Sequence, residues 1–242
     1  MHRRGFSLVE LSIVLVIIGL LVGGVMAGAS LIRNSEVKTV ITEYNEYKQA
    51  AITFRSKYAA LPGDLADATS YWASASNGDG DGIIDWASAP NTTGEFAQFW
   101  SQLALAGIVE GQFSGLAGSG GAAHIVIGTN APKSALTNAG WGAWTLGIYA
   151  GDASSFAYDY GNVLTLGGTS SNAWNFIPVL KSEEAWNIDT KLDDGMPGAG
   201  KIIVYNTTAC ATATNSTDYA ANYRLDNSSV VCGFYFTNAF ND

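Results

Sequence analysis

The residues from Asn77 to Asp85 carry oxygen atoms at a spacing suited to a hard metal ion. In Asn77-Gly78-Asp79-Gly80-Asp81-Gly82-Ile83-Ile84-Asp85, oxygen-bearing side chains alternate with other residues, and a glycine follows the third of them. This is the pattern of the first part of an EF-hand-like calcium loop. It predicts a Ca²⁺ site whose ligands are four side chains and one backbone carbonyl: Asn77, Asp79, Asp81, Asp85 and the carbonyl of Ile83.

The second part of this calcium pattern is incomplete. Ser88 occupies the twelfth position, where an EF-hand loop has a bidentate glutamate. Glu95 would supply that ligand if the loop folds back onto it. A flexible acidic turn without a metal is the alternative interpretation, and the expected affinity is the weak, millimolar one of extracellular modules.

A single carboxylate also interrupts a long apolar segment at the N-terminus. Arg3 and Arg4 precede Gly5-Phe6-Ser7-Leu8-Val9-Glu10, and the apolar run continues from Leu11 to Ala29. Basic residues before such a run stay on the cytoplasmic side, which directs the rest of the chain outward. Inserting Glu10 without a partner costs about 2.5 kcal/mol or more, so this side chain requires something that neutralises it.

The segment Gly5-Phe6-Ser7-Leu8-Val9-Glu10 resembles the cleavage and methylation site of type IV prepilins and of the related type II secretion pseudopilins. The resemblance implies that a prepilin peptidase cuts between Gly5 and Phe6 and methylates the new amine of Phe6. It also implies that Glu10 pairs with the N-terminal amine of a neighbouring subunit. A buried carboxylate with a cationic partner is tolerable in a low dielectric, whereas an unpaired one is not.

The N-terminus has two other possible interpretations, a secretory signal peptide and a plain membrane anchor. A secretory signal peptide would be cut after a motif such as Val25-Met26-Ala27. Glu10 and the length of the apolar run argue against it. A plain membrane anchor fits the length, since about 20 apolar residues cross a bilayer, but it explains neither Gly5-Phe6 nor Glu10.

The polar stretch after the apolar run has helical periodicity. No proline occurs before Pro62, so one helix over residues 6–58, about 80 Å long, is predicted. Residues 6–29 would form its membrane-spanning or filament-core half, and Leu61-Pro62-Gly63-Asp64 would follow its end. Apolar residues recur at steps of three and four in the second half: Val37, Val40, Ile41, Tyr44, Tyr47, Ala51, Phe54 and Tyr58.

Type IVa pilins commonly have a helix-kinking proline in the apolar part of the helix. This chain lacks that proline, so the pilin subclass stays open. Ala27 stands at that place in this chain, directly after Gly23, Gly24, Val25 and Met26.

The remaining residues, 59–242, have the composition of a β-rich globular head. The chain of 242 residues has 14% charged and 12% aromatic residues and 28 glycines. Its net charge of −9, or −11 without Arg3 and Arg4, argues against broad nucleic-acid binding. We therefore expect an α+β fold in which a long N-terminal helix packs on an antiparallel sheet, as the pilin resemblance also implies, with a leader peptide at residues 1–5.

Local patterns predict the elements of this head. Thr92 and Glu95 have capping-box spacing before a helix over residues 95–106, and Ser182 is expected to cap a helix over residues 183–192. Short strands are predicted at six places: 123–127, 144–149, 162–166, 201–205, 223–225 and 230–236.

Several aromatic residues occur close together in the predicted strand region. They would form either a ligand-binding surface or, more commonly, ordinary sheet packing. They are Trp141, Trp144, Tyr149, Phe156, Tyr158 and Tyr160.

Cys210 and Cys232 are the only cysteines. An exported head meets an oxidising compartment, so a disulfide is expected, which would stabilise the fold by about 3 kcal/mol. Two unpaired buried thiols are the alternative.

The motifs of common enzyme classes are missing from this sequence. His124 is the one histidine that a chain cut after Gly5 would keep, and no nucleophile or zinc-protease motif accompanies it. We therefore expect a non-enzymatic filament subunit that polymerises with itself or with other pilins. The alternatives are a minor pilin or adhesin and a type II secretion pseudopilin. The precursor would lie in the bacterial inner membrane, and an assembly platform would move it into a filament in the periplasm or on the cell surface.

Overall fold

The computed structural model describes residues 7–240 and begins with one long helix. Helix α1 is Leu8–Tyr58, 51 residues without a break. Ser7 is its N-cap, and Ala59 ends it in the left-handed conformation with φ 56°. The predicted continuous helix is therefore confirmed over the described residues.

The head contains four further helices and seven strands. The helices are α2 (Ala68–Tyr71), α3 (Glu95–Leu105), α4 (Ser182–Leu192) and α5 (Thr207–Cys210). The strands are β1 (Gly140–Thr145), β2 (Ile148–Tyr149), β3 (Tyr158–Asp159), β4 (Asn162–Gly167), β5 (Leu180–Lys181), β6 (Ile202–Tyr205) and β7 (Val230–Phe236).

Strand β7 organises the main sheet, in which all pairings are antiparallel. β4 and β6 both pair with its C-terminal half, β5 pairs with its N-terminal half, and β1 pairs with β4. β2 and β3 form a separate two-stranded sheet. The expected α+β fold, a long helix followed by an antiparallel sheet, is thus confirmed.

The second half of α1 packs on one face of the main sheet. The Tyr44 ring stacks on Phe236 of β7 with the ring centres 4.3 Å apart, and Tyr47 contacts Trp141 of β1 edge to face. Of the eight apolar positions predicted on this face, six are buried, and Ile41 and Tyr58 pack partly buried against the same core.

Polar contacts also fasten α1 to the head. Arg33 forms a two-hydrogen-bond ion pair with Glu184 of α4 and donates a third bond to the Val179 carbonyl. One turn past the start of the buried face, the Glu43 carboxylate accepts bonds from the Ser134 hydroxyl at 2.6 Å and the Trp141 indole NH at 2.8 Å. These contacts set the rotation of the helix on the sheet.

Five local predictions were wrong in detail, two about helix caps and three about strands. Gly94 precedes α3, whereas Thr92 hydrogen-bonds with the backbone of Ala89 and does not cap the helix. Ser182 is already the first residue of α4, whose N-cap is Lys181.

The other three errors concern strands. Residues 144–149, predicted as one strand, are divided between β1, which ends at Thr145, and β2, which begins at Ile148 in a separate sheet. Residues 123–127 and 223–225 contain only isolated bridges, one between Ile127 and Ala131 and one between Tyr223 and Ala211. Ile125 and Tyr223 are buried in the core, but neither stretch pairs with a neighbouring strand beyond a single bridge.

The Glu43 contacts predict a stability effect. Glu43→Ala should lower the free energy of unfolding by about 2 kcal/mol, because it leaves the indole NH of Trp141 without its acceptor. Urea unfolding of the purified chain in detergent, followed by tryptophan fluorescence, measures the change. Glu46→Ala is the matched control, since Glu46 is exposed on the same helix and should change stability by less than about 0.5 kcal/mol. Equal effects of the two substitutions would contradict the assigned contact.

Candidate functional site

The first half of α1 is an exposed apolar surface. Its most apolar 18-residue window has a mean hydropathy of 2.7 and no residue buried within the chain, so the helix is long and apolar enough to cross a membrane. Leu8, Leu15 and Leu20 are 86%, 68% and 73% exposed. An exposed apolar surface of this extent marks a membrane or protein contact.

Glu10 lies in the first turn of this exposed segment. Its carboxylate accepts a 2.7 Å hydrogen bond from the Ser7 backbone NH, and the Ser7 hydroxyl accepts one from the Val9 NH. This capping box satisfies two of the free NH groups at the helix start. The Glu10 side chain remains exposed, so it is accessible to a second partner. The predicted processing residues Gly5 and Phe6 lie outside the described residues.

The acidic loop of residues 77–85 brings its carboxylates together. Oxygen atoms of Asp79, Asp81 and Asp85 lie within 4.8 Å of one another. A second group of three, within the same distance, joins Asp79 to Asp64 and Glu95. Asp79 belongs to both groups, so four other carboxylates converge on its side chain.

Backbone NH groups and two positive-φ glycines hold this acidic loop in shape. Asp64 accepts from the NH groups of Gly80 and Gly82, whose φ angles are 80° and 86°. Glu95, at the start of α3, accepts from the NH groups of Asp79 and Asp85. The loop therefore folds back against α3, the arrangement in which Glu95 can act as the missing distal carboxylate.

Burial raises the pKa of three of these carboxyl groups, Glu95, Asp64 and Asp85. The pKa of Glu95 rises to about 7, because desolvation outweighs the hydrogen bonds from Asp85 and Asp79. Desolvation also raises the pKa of Asp64 above its ordinary value, and the charges of Asp81 and Asp79 add to the shift. A cation placed among these groups would favour their ionised forms and so lower these pKa values.

The structure does not bring all the predicted calcium ligands together. Asp79, Asp81 and Asp85 converge, whereas the Asn77 side-chain oxygen accepts from the Thr69 NH at the start of α2. Asp64 also belongs to the cluster, although its place in the sequence indicated only the end of the long helix. No local spacing rule connects Asp64 with a loop that begins thirteen residues later.

The two cysteines form a disulfide. Cys210 of α5 and Cys232 of β7 are bonded across 22 positions of sequence and are fully buried. The expected pairing is therefore confirmed, and it ties the segment between the cysteines to the central strand.

The six aromatic residues singled out in the sequence have two different roles. Trp141, Phe156 and Tyr160 are fully buried packing residues. Tyr158 packs partly buried against the same core. Trp144 and Tyr149 line a surface cleft. Trp86 and Trp174 complete the wall of that cleft. Neither was among the six aromatic residues identified from the sequence.

Comparison with known protein families matches residues 1–26 to the prokaryotic N-terminal methylation motif. No curated protein and no solved structure matches the chain significantly. The chain thus carries the prepilin signature of type IV pilins and pseudopilins.

Proposed function

We propose that this chain, which carries a prepilin signature, is a structural subunit of a type IV pilus-like filament. The observation that carries the proposal is the exposed apolar half of α1 with Glu10 in its first turn, most of which lies within the matched motif at residues 1–26. About 25 cal/mol is gained per Å² of apolar surface removed from water. A lipid bilayer and a bundle of identical helices both provide that burial.

Assembly in this proposal depends on a charge pair. Cleavage between Gly5 and Phe6 creates a new cationic amine, which methylation of Phe6 keeps positive. The amine of one subunit would approach Glu10 of its neighbour, which remains exposed in the single chain. In the apolar filament core neither charge has an alternative partner, so their pairing would set the register between subunits.

The basic residues before the apolar run suggest a route for the precursor. Arg3 and Arg4 would hold the N-terminus in the cytoplasm while the head is exported. The prepilin peptidase would then act at the inner membrane, and the pilus assembly platform would extract the mature helix into the filament with further copies or other pilins.

Mass spectrometry of sheared filaments and of membranes tests the processing step. We expect the N-terminal peptide to begin at N-methylated Phe6 and the protein to be abundant in filaments. Scarcity in filaments would instead favour a minor pilin, an adhesin or a pseudopilin. A chain that begins after Ala27 or Ala29 would contradict the proposal, since α1 would then lose its apolar half.

Substitution of Glu10 tests the charge pair. Glu10→Val should reduce filament yield by about tenfold or more while processing at Gly5 continues, because removing one partner leaves a buried amine unpaired. The matched control is Glu46→Val, an exposed position of the same helix. Filament yield per cell is measured by quantitative immunoblotting of sheared fractions. Normal assembly of the Glu10 variant would count against the pairing.

We also propose that the acidic loop binds Ca²⁺ through Asp79, Asp81, Asp85 and Glu95. Support comes from their convergence, since hard cations favour carboxylate clusters held by a rigid loop. Asp64 would add negative charge behind them. Bound calcium would stiffen the loop that follows α2.

Calorimetry with CaCl₂ and thermal unfolding test this calcium site. At ten times the dissociation constant, Ca²⁺ should stabilise the native chain by about 1.4 kcal/mol. The double variant Asp79→Asn/Asp81→Asn should lose the effect. Asp226→Asn, at an exposed position outside the loop, should keep it. Equal stabilisation of the double variant and of the control would show that calcium acts elsewhere.

A further inference from the structure

The main sheet has a second aromatic layer on the face opposite α1. Side chains alternate along a strand, so Phe234 and Phe236 of β7 lie on the helix side and Tyr235 lies on the other. Tyr235 contacts Tyr205 and Trp174 at ring-centre distances of 5.5 Å each. In a filament whose helices form the core, this opposite face would point away from the axis.

Aromatic rings form a continuous row on this outer face, in which Trp86 and Trp174 are partly exposed and Trp144 is buried. Trp86 and Trp144 have ring centres 4.5 Å apart, Trp144 and Trp174 5.3 Å, and Trp174 and Phe176 5.4 Å. Two adjoining clefts of about 370 and 280 Å³ follow the row and share the walls Trp174 and Tyr235. Together they make an elongated groove, hereafter the aromatic groove, and Phe176 remains 38% exposed there.

A fixed carboxylate lies on the edge of the aromatic groove. Asp152 accepts hydrogen bonds from the Tyr149 hydroxyl at 2.8 Å and from the NH groups of Ser154 and Ser155. Burial alone would raise the pKa of Asp152, but these three bonds outweigh it and the pKa lies below its ordinary value. The group is therefore ionised at neutral pH and is held in one orientation.

A second polar group of the aromatic groove lacks a partner. The indole NH of Trp144 is buried, and it has no hydrogen-bond acceptor among the described residues. The Trp144 residue is 96% buried. A buried donor without an acceptor is rare in folded proteins and usually has a functional explanation.

These features select a ligand by its chemistry. Among the described residues that line the groove, none is a lysine or arginine, which disfavours phosphates, nucleic acids and acidic peptides. Flat apolar rings and a few orienting polar groups suit a ligand with apolar faces and hydroxyl groups at its edges. We propose that the aromatic groove binds a neutral carbohydrate chain, with sugar rings lying on Trp174 and Trp86 and hydroxyl groups donating to Asp152.

A quaternary ammonium ligand is the nearest rival for aromatic rings beside a carboxylate. Such cations are bound where rings surround a single point. Here the rings follow one another in a row. This arrangement favours an extended ligand.

The test is titration of the full chain with short neutral oligosaccharides of glucose, mannose, galactose and N-acetylglucosamine. Binding is measured by calorimetry and by tryptophan fluorescence. The detergent must be a polyoxyethylene ether, because glycoside detergents carry a sugar themselves. We expect saturable binding of at least one of these sugars and a change in tryptophan emission, since Trp86, Trp144 and Trp174 line the groove.

Two variants and a control locate the binding. Trp174→Ala and Asp152→Asn should each weaken the affinity by about tenfold or more. Asp152→Asn keeps the side-chain shape on an exposed loop, so it remains a valid test if Trp174→Ala fails to fold. Trp186→Ala removes an exposed tryptophan of α4 outside the groove and should leave the affinity unchanged.

Three results would overturn the proposal. They are the absence of binding by every sugar in the set, binding that Asp152→Asn does not weaken, and binding of trimethyl-lysine peptide in place of sugar. Because none of these readouts involves filament formation, the outcome is independent of whether the chain polymerises.

Discussion

The structure depends on the unequal burial of a single helix. The second half of α1 buries residues such as Val40 and Phe54 completely within the head, whereas the first half leaves its apolar side chains uncovered. A chain in water cannot keep such a surface exposed without aggregation. The uncovered half therefore requires a lipid or protein environment, and every functional conclusion about this chain starts from that requirement.

The sheet completes this division between an inner and an outer surface. Rings of Trp141 and Phe236 meet α1, while Tyr235 supports an outer layer that includes Trp144 and Trp174. The apolar half of the helix is thus one exposed surface of the chain, and the outer aromatic layer of the sheet is a second one of different composition. Arg33 and Glu43 keep these two faces in a defined orientation to the helix.

Several properties follow from local sequence alone. The helix over Leu8–Tyr58 and its buried face were predictable because periodicity of apolar residues and the absence of proline act within a few turns. The methylation motif is likewise contiguous, and a chain with two cysteines has one possible intramolecular pair. In each case all the necessary information lies in one short stretch or in a simple count.

Only the tertiary structure decided the contacts between distant stretches. It placed Asp64 and Glu95 beside Asp79, and it put Trp86 and Trp174 in one row with Trp144. The predicted strand over residues 123–127 was wrong for a related reason, since a strand needs a partner that its own sequence does not specify. Side-chain pattern determines which face of an element is apolar, but loop closure and strand register determine what that face meets.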